Sequence, residues 1–455
     1  MTTASTTKPR KKERNVKLTD AGEPHKSLLL VRKTKPSSTA KTHRTKHIRP
    51  HPNFVPPEYA LISHHSLSKL STWSESLAAK GLVNPYTTCF MNSGIQALLA
   101  VPMLAQYLRK KYHSRACSAA GWCPTCTMEK LAEHVLVPPG QIKKAKPVNP
   151  NAMVKNLRSI NKFFSPYDQQ DAHEFIISLI DKMDETFLKG RGLDPKGLPD
   201  KVAHTTPLSQ MFGGWSVQTL SCPLCRYESH TESFHLDTPI QVALGKSKFG
   251  TLEEALASMV RPGKLGCEWT CEGCEGTVDP TKQVVIAHPP ETLMITFQVY
   301  DPIKDRKCSK QPRYPLTLDM SPYVAEPYGD ERDRYDLVSV IRHHGHSQHS
   351  GHYYCQAKHD GKWYELNDEF VDSITASDAT ALNGRAAGSA YIVIYMRRPK
   401  GAASGIEPEV APAPQVRTKG KADKGKKSIV GGLAKATMLK KKSGSKRQAI
   451  RKRRR

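Results

Sequence analysis

The chain has 455 residues, a formal net charge of +27 and a pI of about 9.6, with 11 cysteines. That is enough for about two or three average domains, or for one large one with tails. No apolar run reaches the roughly 18 residues of a membrane helix, and the opening MTTASTTKPRKKERNVK has no apolar core of a secretory signal. A reducing, intracellular setting is therefore expected, in which C-x-x-C pairs point to metal or catalysis rather than to disulfides.

The charge is concentrated at the two ends. Residues 1–52 hold 14 Lys/Arg against 3 Asp/Glu, residues 401–455 hold 17 against 3, and residues 53–400 are left with only +2. Residues 1–70 are rich in Lys, Thr, Ser, Pro and His, with one short apolar island at Leu28–Val31. Such a composition buries too little apolar surface to order itself, so a disordered basic extension is expected there. From about residue 401 a Pro/Ala stretch, GAASGIEPEVAPAPQ, leads into a second disordered basic tail, 401–455. The folded region is expected over 71–400.

Within it, a first helix is predicted from Met91 to about Lys110, with Asn92 and Ser93 as start signals and Leu98, Leu99, Met103, Leu104 and Leu108 along one side. A second is predicted from Gln169 to about Lys189. Its residues Phe175, Ile176, Leu179, Ile180, Met183 and Phe187 have the spacing of a buried stripe. The second half of the chain reads as strands: SVQTLSC, QVVIAH, TLMITFQVY, YDLVSVIRHH, HYYCQAK, KWYEL and SAYIVIYMRR. Helices followed by a mostly antiparallel sheet make an α+β fold.

Cys89 stands just before the first helix, where unpaired N–H groups and the helix dipole favour a thiolate. Alone it reads first as a buried structural thiol, ahead of a metal ligand or a nucleophile. Downstream lie His352, in GHSQHSGHYY, and Asn367 and Asp368, in WYELNDE. A thiol protease needs a cysteine, a histidine to take its proton, and an amide or carboxylate to orient the imidazole. All three types occur in the order Cys, His, Asn. His343, His344, His346, His349 and His359 surround His352, and spacing alone does not choose among them.

Two further groups have ligand spacing. Cys222/Cys225 and Cys271/Cys274 form two C-x-x-C knuckles separated by 45 residues, a pattern that can place four thiolates on one tetrahedral Zn²⁺. His113, Cys117, Cys123 and Cys126, in HSRACSAAGWCPTC, read either as a second metal site or as small buried residues in a helix connection.

The stretch GLVNPYTTCFMNSGIQ resembles the cysteine box of the ubiquitin-specific proteases through Gly81, Leu82, Asn84, Thr88, Cys89, Phe90, Met91, Asn92, Ser93 and Gln96. YDQQDAHEFI at 167–176 resembles that family's second box. YDLVSVIRHHGHSQHSGHYYCQA at 335–357, WYELND at 363–368 and AYIVIYMR at 390–397 resemble its histidine box and closing strand. The boxes come in the family's order and span about 80–400. The chain departs from the family pattern at Pro85 and Tyr86, where glycine is usual, at Leu366, where an aromatic is usual, and in TFQVY at 296–300.

The resemblance implies a papain-like cysteine protease fold with a helical thumb, a β-sheet palm and zinc-ribbon fingers at about 205–300. It implies cleavage after the C-terminal glycine of ubiquitin, with Cys89 as nucleophile, His352 as base and then acid, Asn367 as orienting residue and Asp368 as its helper. Asn84 would donate to the oxyanion, Asp171 and Glu174 would grip the ubiquitin tail, and Cys222, Cys225, Cys271 and Cys274 would hold a structural zinc. A core that binds ubiquitin without cutting it, or that acts on a ubiquitin-like modifier, remains an alternative. The basic runs KPRKKER at 8–14 and KRQAIRKRRR at 446–455 suit nuclear import and non-specific contact with RNA phosphates. Very basic ends on this core resemble the family's nucleolar branch, so nuclear and nucleolar placement is expected.

Overall fold

The computed structural model describes residues 60–401 apart from 199–200, 237–240, 244–248, 299, 302–305, 308–310, 346–349 and 383–387. Both basic runs, with the import and RNA contact expected of them, lie outside the described residues, as do His346 and His349. Among the described residues, no helix is long and apolar enough to cross a membrane.

The packed chain begins before the expected boundary at 70. A short helix, His64–Ser68, places Leu67 and, just beyond it, Leu70 in the main core. The first long helix of the prediction is two helices, Cys89–Leu99 and Pro102–Arg109. Pro102 explains the break: it has no N–H to donate, and its ring would collide with the carbonyl one turn back. As the first residue of the second helix it costs nothing, because that N–H has no partner in any case.

The second predicted helix runs from Ala172 to Lys189, three residues shorter at its start than expected. Asp171 sets that start. Its Oδ1 accepts from the backbone N–H groups of His173 at 2.7 Å and Glu174 at 3.2 Å, capping donors that have no partner within the helix. The expected apolar stripe is buried along its whole length. A helix that the spacing did not predict, Pro124–Val135, completes the thumb.

The palm is an eight-stranded sheet in the order Phe370–Ile374, Lys362–Asn367, His352–His359, Arg334–His344, Ser389–Arg397, Thr292–Gln298, Gln241–Ala243, with Thr317–Asp319 paired to Arg334–His344 off this path. All of its pairs are antiparallel except the one between Gln241–Ala243 and Thr292–Gln298. Alternation along Ser389–Arg397 sends Ile392, Ile394 and Met396 into the helical core. Val393 and Tyr395 point into a second core, capped by the helix Leu252–Val260. Leu366, in place of the usual aromatic, fills a buried position of the helical core beside Cys355.

A second, four-stranded antiparallel sheet forms the fingers in the order Glu228–His235, Gly214–Ser221, Thr281–His288, Gly263–Lys264. Its strands lie between residues 214 and 288.

Candidate active site

Cys89 is the first residue of a helix whose eleven residues are all buried. No side chain caps that helix, so its first-turn N–H groups stay open beside the thiol. Instead the side-chain oxygen of Asn84 accepts from the N–H and hydroxyl of Thr88, at 3.0 and 2.9 Å, and fixes the loop just before the thiol. Pro85 and Tyr86 lie in this loop. Tyr86 packs edge-on against Tyr167 at 4.7 Å, and Thr87 donates twice to the Pro166 carbonyl.

His352 opens a palm strand, His352–His359, and Asn367 ends the neighbouring strand, Lys362–Asn367. The His352 Nε2–H donates to Asn367 Oδ1 at 2.6 Å, which leaves Nδ1 for the thiol. A hydrogen bond to Cys89 is the main reason the imidazole is raised to about 9, reinforced by Asn367 and by the charge of Asp368 and opposed by burial. The imidazolium form is therefore favoured at neutral pH, and it is poised next to sulfur.

Asp368 does more than assist. Its Oδ2 lies 3.9 Å from His352 Nε2 and accepts from Asn84 Nδ2 at 2.9 Å, while its Oδ1 accepts from Asn92 Nδ2 at 2.8 Å. Its carbonyl also accepts from the Leu82 N–H at 2.7 Å. One carboxylate thus ties the cysteine helix, the loop before it and the end of the histidine side of the cleft. Gly81 belongs to the same junction. A Cβ there would run into the backbone carbonyls of Asp368 and Glu369, so no larger residue lets the two segments approach this closely. Asn92 was missed as a site residue; its place one helical turn after Cys89 was the available sign.

Asn84 gives one N–H to Asp368, so a side-chain amide with two N–H groups has one left for an incoming oxygen. Asp171 is occupied as a helix cap, and its Oδ2 accepts from the Tyr391 hydroxyl at 2.5 Å. Glu174 is exposed and accepts from Asn161 at 3.0 Å.

Two donor groups come together among the described residues, and in each the ligand atoms lie within 4.8 Å of one another. Cys222, Cys225, Cys271 and Cys274 meet at the tips of two hairpins, closed by the pairs Ser221/Glu228 and Thr270/Thr277. Each knuckle turns through a residue of left-handed backbone just after its second cysteine, Arg226 and Glu275. The sulfurs of Cys222 and Cys274 are 3.9 Å apart and those of Cys225 and Cys271 3.5 Å. Zn–S bonds of about 2.3 Å in a tetrahedron separate sulfurs by about 3.8 Å, so the set fits zinc. Backbone N–H groups, first that of Cys225, hold Cys222 down to about 7, whereas burial and the neighbouring thiols push Cys225 up. Exposed Cys267 stands outside the group.

The second group is His113, Cys117, Cys123 and Cys126, the set the sequence left open. His113 Nε2 is 3.1 Å from Cys123 Sγ. Burial pushes His113 down, toward the neutral imidazole a metal needs, and pushes the thiols of Cys123 and Cys126 up. One histidine and three cysteines at this spacing also fit a tetrahedral zinc.

The profile of the ubiquitin carboxyl-terminal hydrolase family matches residues 80–395. The chain is 33% identical over 353 residues to the probable ubiquitin carboxyl-terminal hydrolase 16 of Schizosaccharomyces pombe, covering 76% of this chain and 73% of that one. It is 31% identical to human ubiquitin carboxyl-terminal hydrolase 42, covering 70% of this chain but 23% of that longer protein. Among solved structures, the SAGA DUB module Ubp8/Sgf11/Sus1/Sgf73 bound to monoubiquitin has the same fold, with a TM-score of 0.58, 24% identity, and coverage of 70% of this chain and 69% of that one. A match over most of the folded region, with Cys89, His352 and Asn367 assembled inside it, means that the chain belongs to the ubiquitin carboxyl-terminal hydrolases, which are cysteine-type deubiquitinases.

Proposed function

We propose that the chain hydrolyses the peptide or isopeptide bond after the C-terminal glycine of ubiquitin. The observation that carries this reading is Cys89 at an uncapped helix start, its thiol near enough to His352 to raise that imidazole, which Asn367 holds at 2.6 Å. The Cys89 thiolate attacks the carbonyl carbon, and the oxygen takes up the negative charge. The free N–H of Asn84 and the open first-turn N–H groups receive it; such a donor is worth roughly 10²–10³-fold in rate. The His352 imidazolium gives its proton to the departing amine as the C–N bond breaks, which leaves a thioester. His352, now neutral, takes a proton from water as the water attacks, and free ubiquitin acid and the thiol are restored. Asp171 and Glu174 would meet the basic tail of ubiquitin at the start of the helix Ala172–Lys189.

Cys222, Cys225, Cys271 and Cys274 would hold a structural zinc that fixes the tip of the fingers, and His113, Cys117, Cys123 and Cys126 a second one in the thumb. Metal analysis of purified protein should give two zinc ions per chain, and Cys271→Ser should remove one. The basic ends would carry the protein to the nucleus and nucleolus and touch RNA phosphates without reading bases. Residues 440–455 fused to a reporter should move it there, and a cytoplasmic reporter would refute this.

The direct test uses ubiquitin whose C-terminus bears a thiol-reactive electrophile. The protein should form a covalent adduct and Cys89→Ala should not. No adduct from folded, zinc-loaded protein would leave a non-cutting binder or an enzyme for another modifier.

A further inference from the structure

Gln169 lies in the loop before the helix Ala172–Lys189, is exposed, and has no part in the chemistry above. Its side-chain amide nonetheless pairs with both backbone groups of a single residue 182 positions away. Nε2 donates to the Gly351 carbonyl at 2.7 Å, and Oε1 accepts from the Gly351 N–H at 2.8 Å. The two bonds reproduce a hydrogen-bonded strand pair with a side chain in place of a strand.

Gly351 immediately precedes His352, the first residue of its strand. On one side the strand His352–His359 pairs from its first residue, His344 with His352. On the other side, pairing with Lys362–Asn367 begins only at Cys355 with Leu366. His352 therefore sits at an end held by one neighbour. Gly351 is pressed against that neighbour: a Cβ on it would strike the His343 ring and come within 2.7 Å of the His344 carbonyl. The backbone just before the imidazole is wedged between the Gln169 amide and the end of Arg334–His344. Two residues on from Gln169, the bond from Tyr391 to Asp171 ties the same helix start to the palm a second time. The Tyr391 ring lies 5.8 Å from Tyr353, the residue after His352.

Given that Cys89 and His352 form the reacting pair, we propose that Gln169 is a positioning residue: through the two bonds to Gly351 it fixes where the His352 imidazole stands relative to the Cys89 sulfur. An imidazole displaced by a fraction of an ångström still reaches Asn367 but meets the thiol poorly, and reacting groups lose rate steeply with such misplacement.

The test compares the wild type, Gln169→Ala and Gln169→Glu on ubiquitin joined to aminomethylcoumarin. It also follows the iodoacetamide rate of Cys89 against exposed Cys267, peptide by peptide. Gln169→Ala should lower kcat about tenfold with KM within about twofold, and slow Cys89 alkylation by a similar factor without any ubiquitin present. Gln169→Glu keeps the acceptor for the Gly351 N–H and loses the donor, so a loss of about threefold is expected. Both variants should melt within about 2 °C of the wild type, because the side chain is exposed. Unchanged kcat and alkylation, or a rise in KM alone, would overturn the inference and leave the nucleophile assignment standing. A wild-type Cys89 no more reactive than Cys267 would overturn both.

Discussion

One strand carries two histidines with opposite fates. At its start, His352 has a side chain 38% exposed, bonded to Asn367 and close to Cys89 and Asp368, and is raised to about 9. At its end, His359 is fully buried between Trp73 and Tyr364, with neither ring nitrogen hydrogen-bonded among the described residues, and burial lowers it to about 4. The same side chain on the same strand is a proton carrier at one end and an apolar filler at the other. What separates them is the set of groups that other segments bring up to each ring.

The strongest way to break this contrast is His352→Ala. It should lower kcat/KM on ubiquitin–aminomethylcoumarin roughly 10⁴-fold with little change in melting temperature; a fall of less than about tenfold would mean that His352 is not the base. Asn367→Ala should cost about 10²-fold in kcat. Asn367→Asp keeps an acceptor for Nε2–H and should stay within about tenfold of the wild type.

The buried end is tested through stability. His359 is neutral when folded and takes up a proton when unfolded below its ordinary value of about 6.5, so folding weakens as pH falls from there toward about 4. Between about pH 7.5 and about pH 5 this histidine should cost the wild type about 2 kcal/mol of unfolding free energy. His359→Leu should escape that loss while keeping full activity, and urea titrations at the two pH values would show it. An equal loss in both proteins would mean that the ring finds a partner after all.

The smallest effect sharpens the polar end. His352 is raised, so its contribution to stability is fully present below about 6.5 and is lost as pH climbs through about 9. The proton for the leaving amine disappears over the same range, so kcat/KM should fall about tenfold per pH unit above about 9. Asp368→Asn removes a charge that favours the imidazolium and should move this limb to lower pH. A pH–rate profile of both proteins decides it.

Much of this was legible in the residues, and the parts that were not share a cause. Cys89, His352 and Asn367 stand inside long motifs in a fixed order, and the stripe from Phe175 to Phe187 announces its own helix. The break at Pro102 was also legible and was overridden by an apolar pattern that runs straight across it. The junction at Asp368 was not legible: its partners Asn84 and Asn92 are 284 and 276 positions away, and no local period links them. Gln169 and Tyr391 escaped for the same reason. His113, Cys117, Cys123 and Cys126 had suggestive spacing, but only the turn between His113 and the helix Pro124–Val135 brings them to one point.

The complete burial of the helix Cys89–Leu99 has a consequence for motion. Beyond its first turn, which opens on the cleft, its amides reach solvent only by separating thumb from palm, so they should be among the slowest in the chain to exchange with heavy water, opening only with the whole domain. A nucleophile mounted there is a fixed post. Any rearrangement that switches the cleft between competent and incompetent states must therefore come from the opposite wall, where His352 arrives at the end of a strand and a single glutamine amide holds the residue before it.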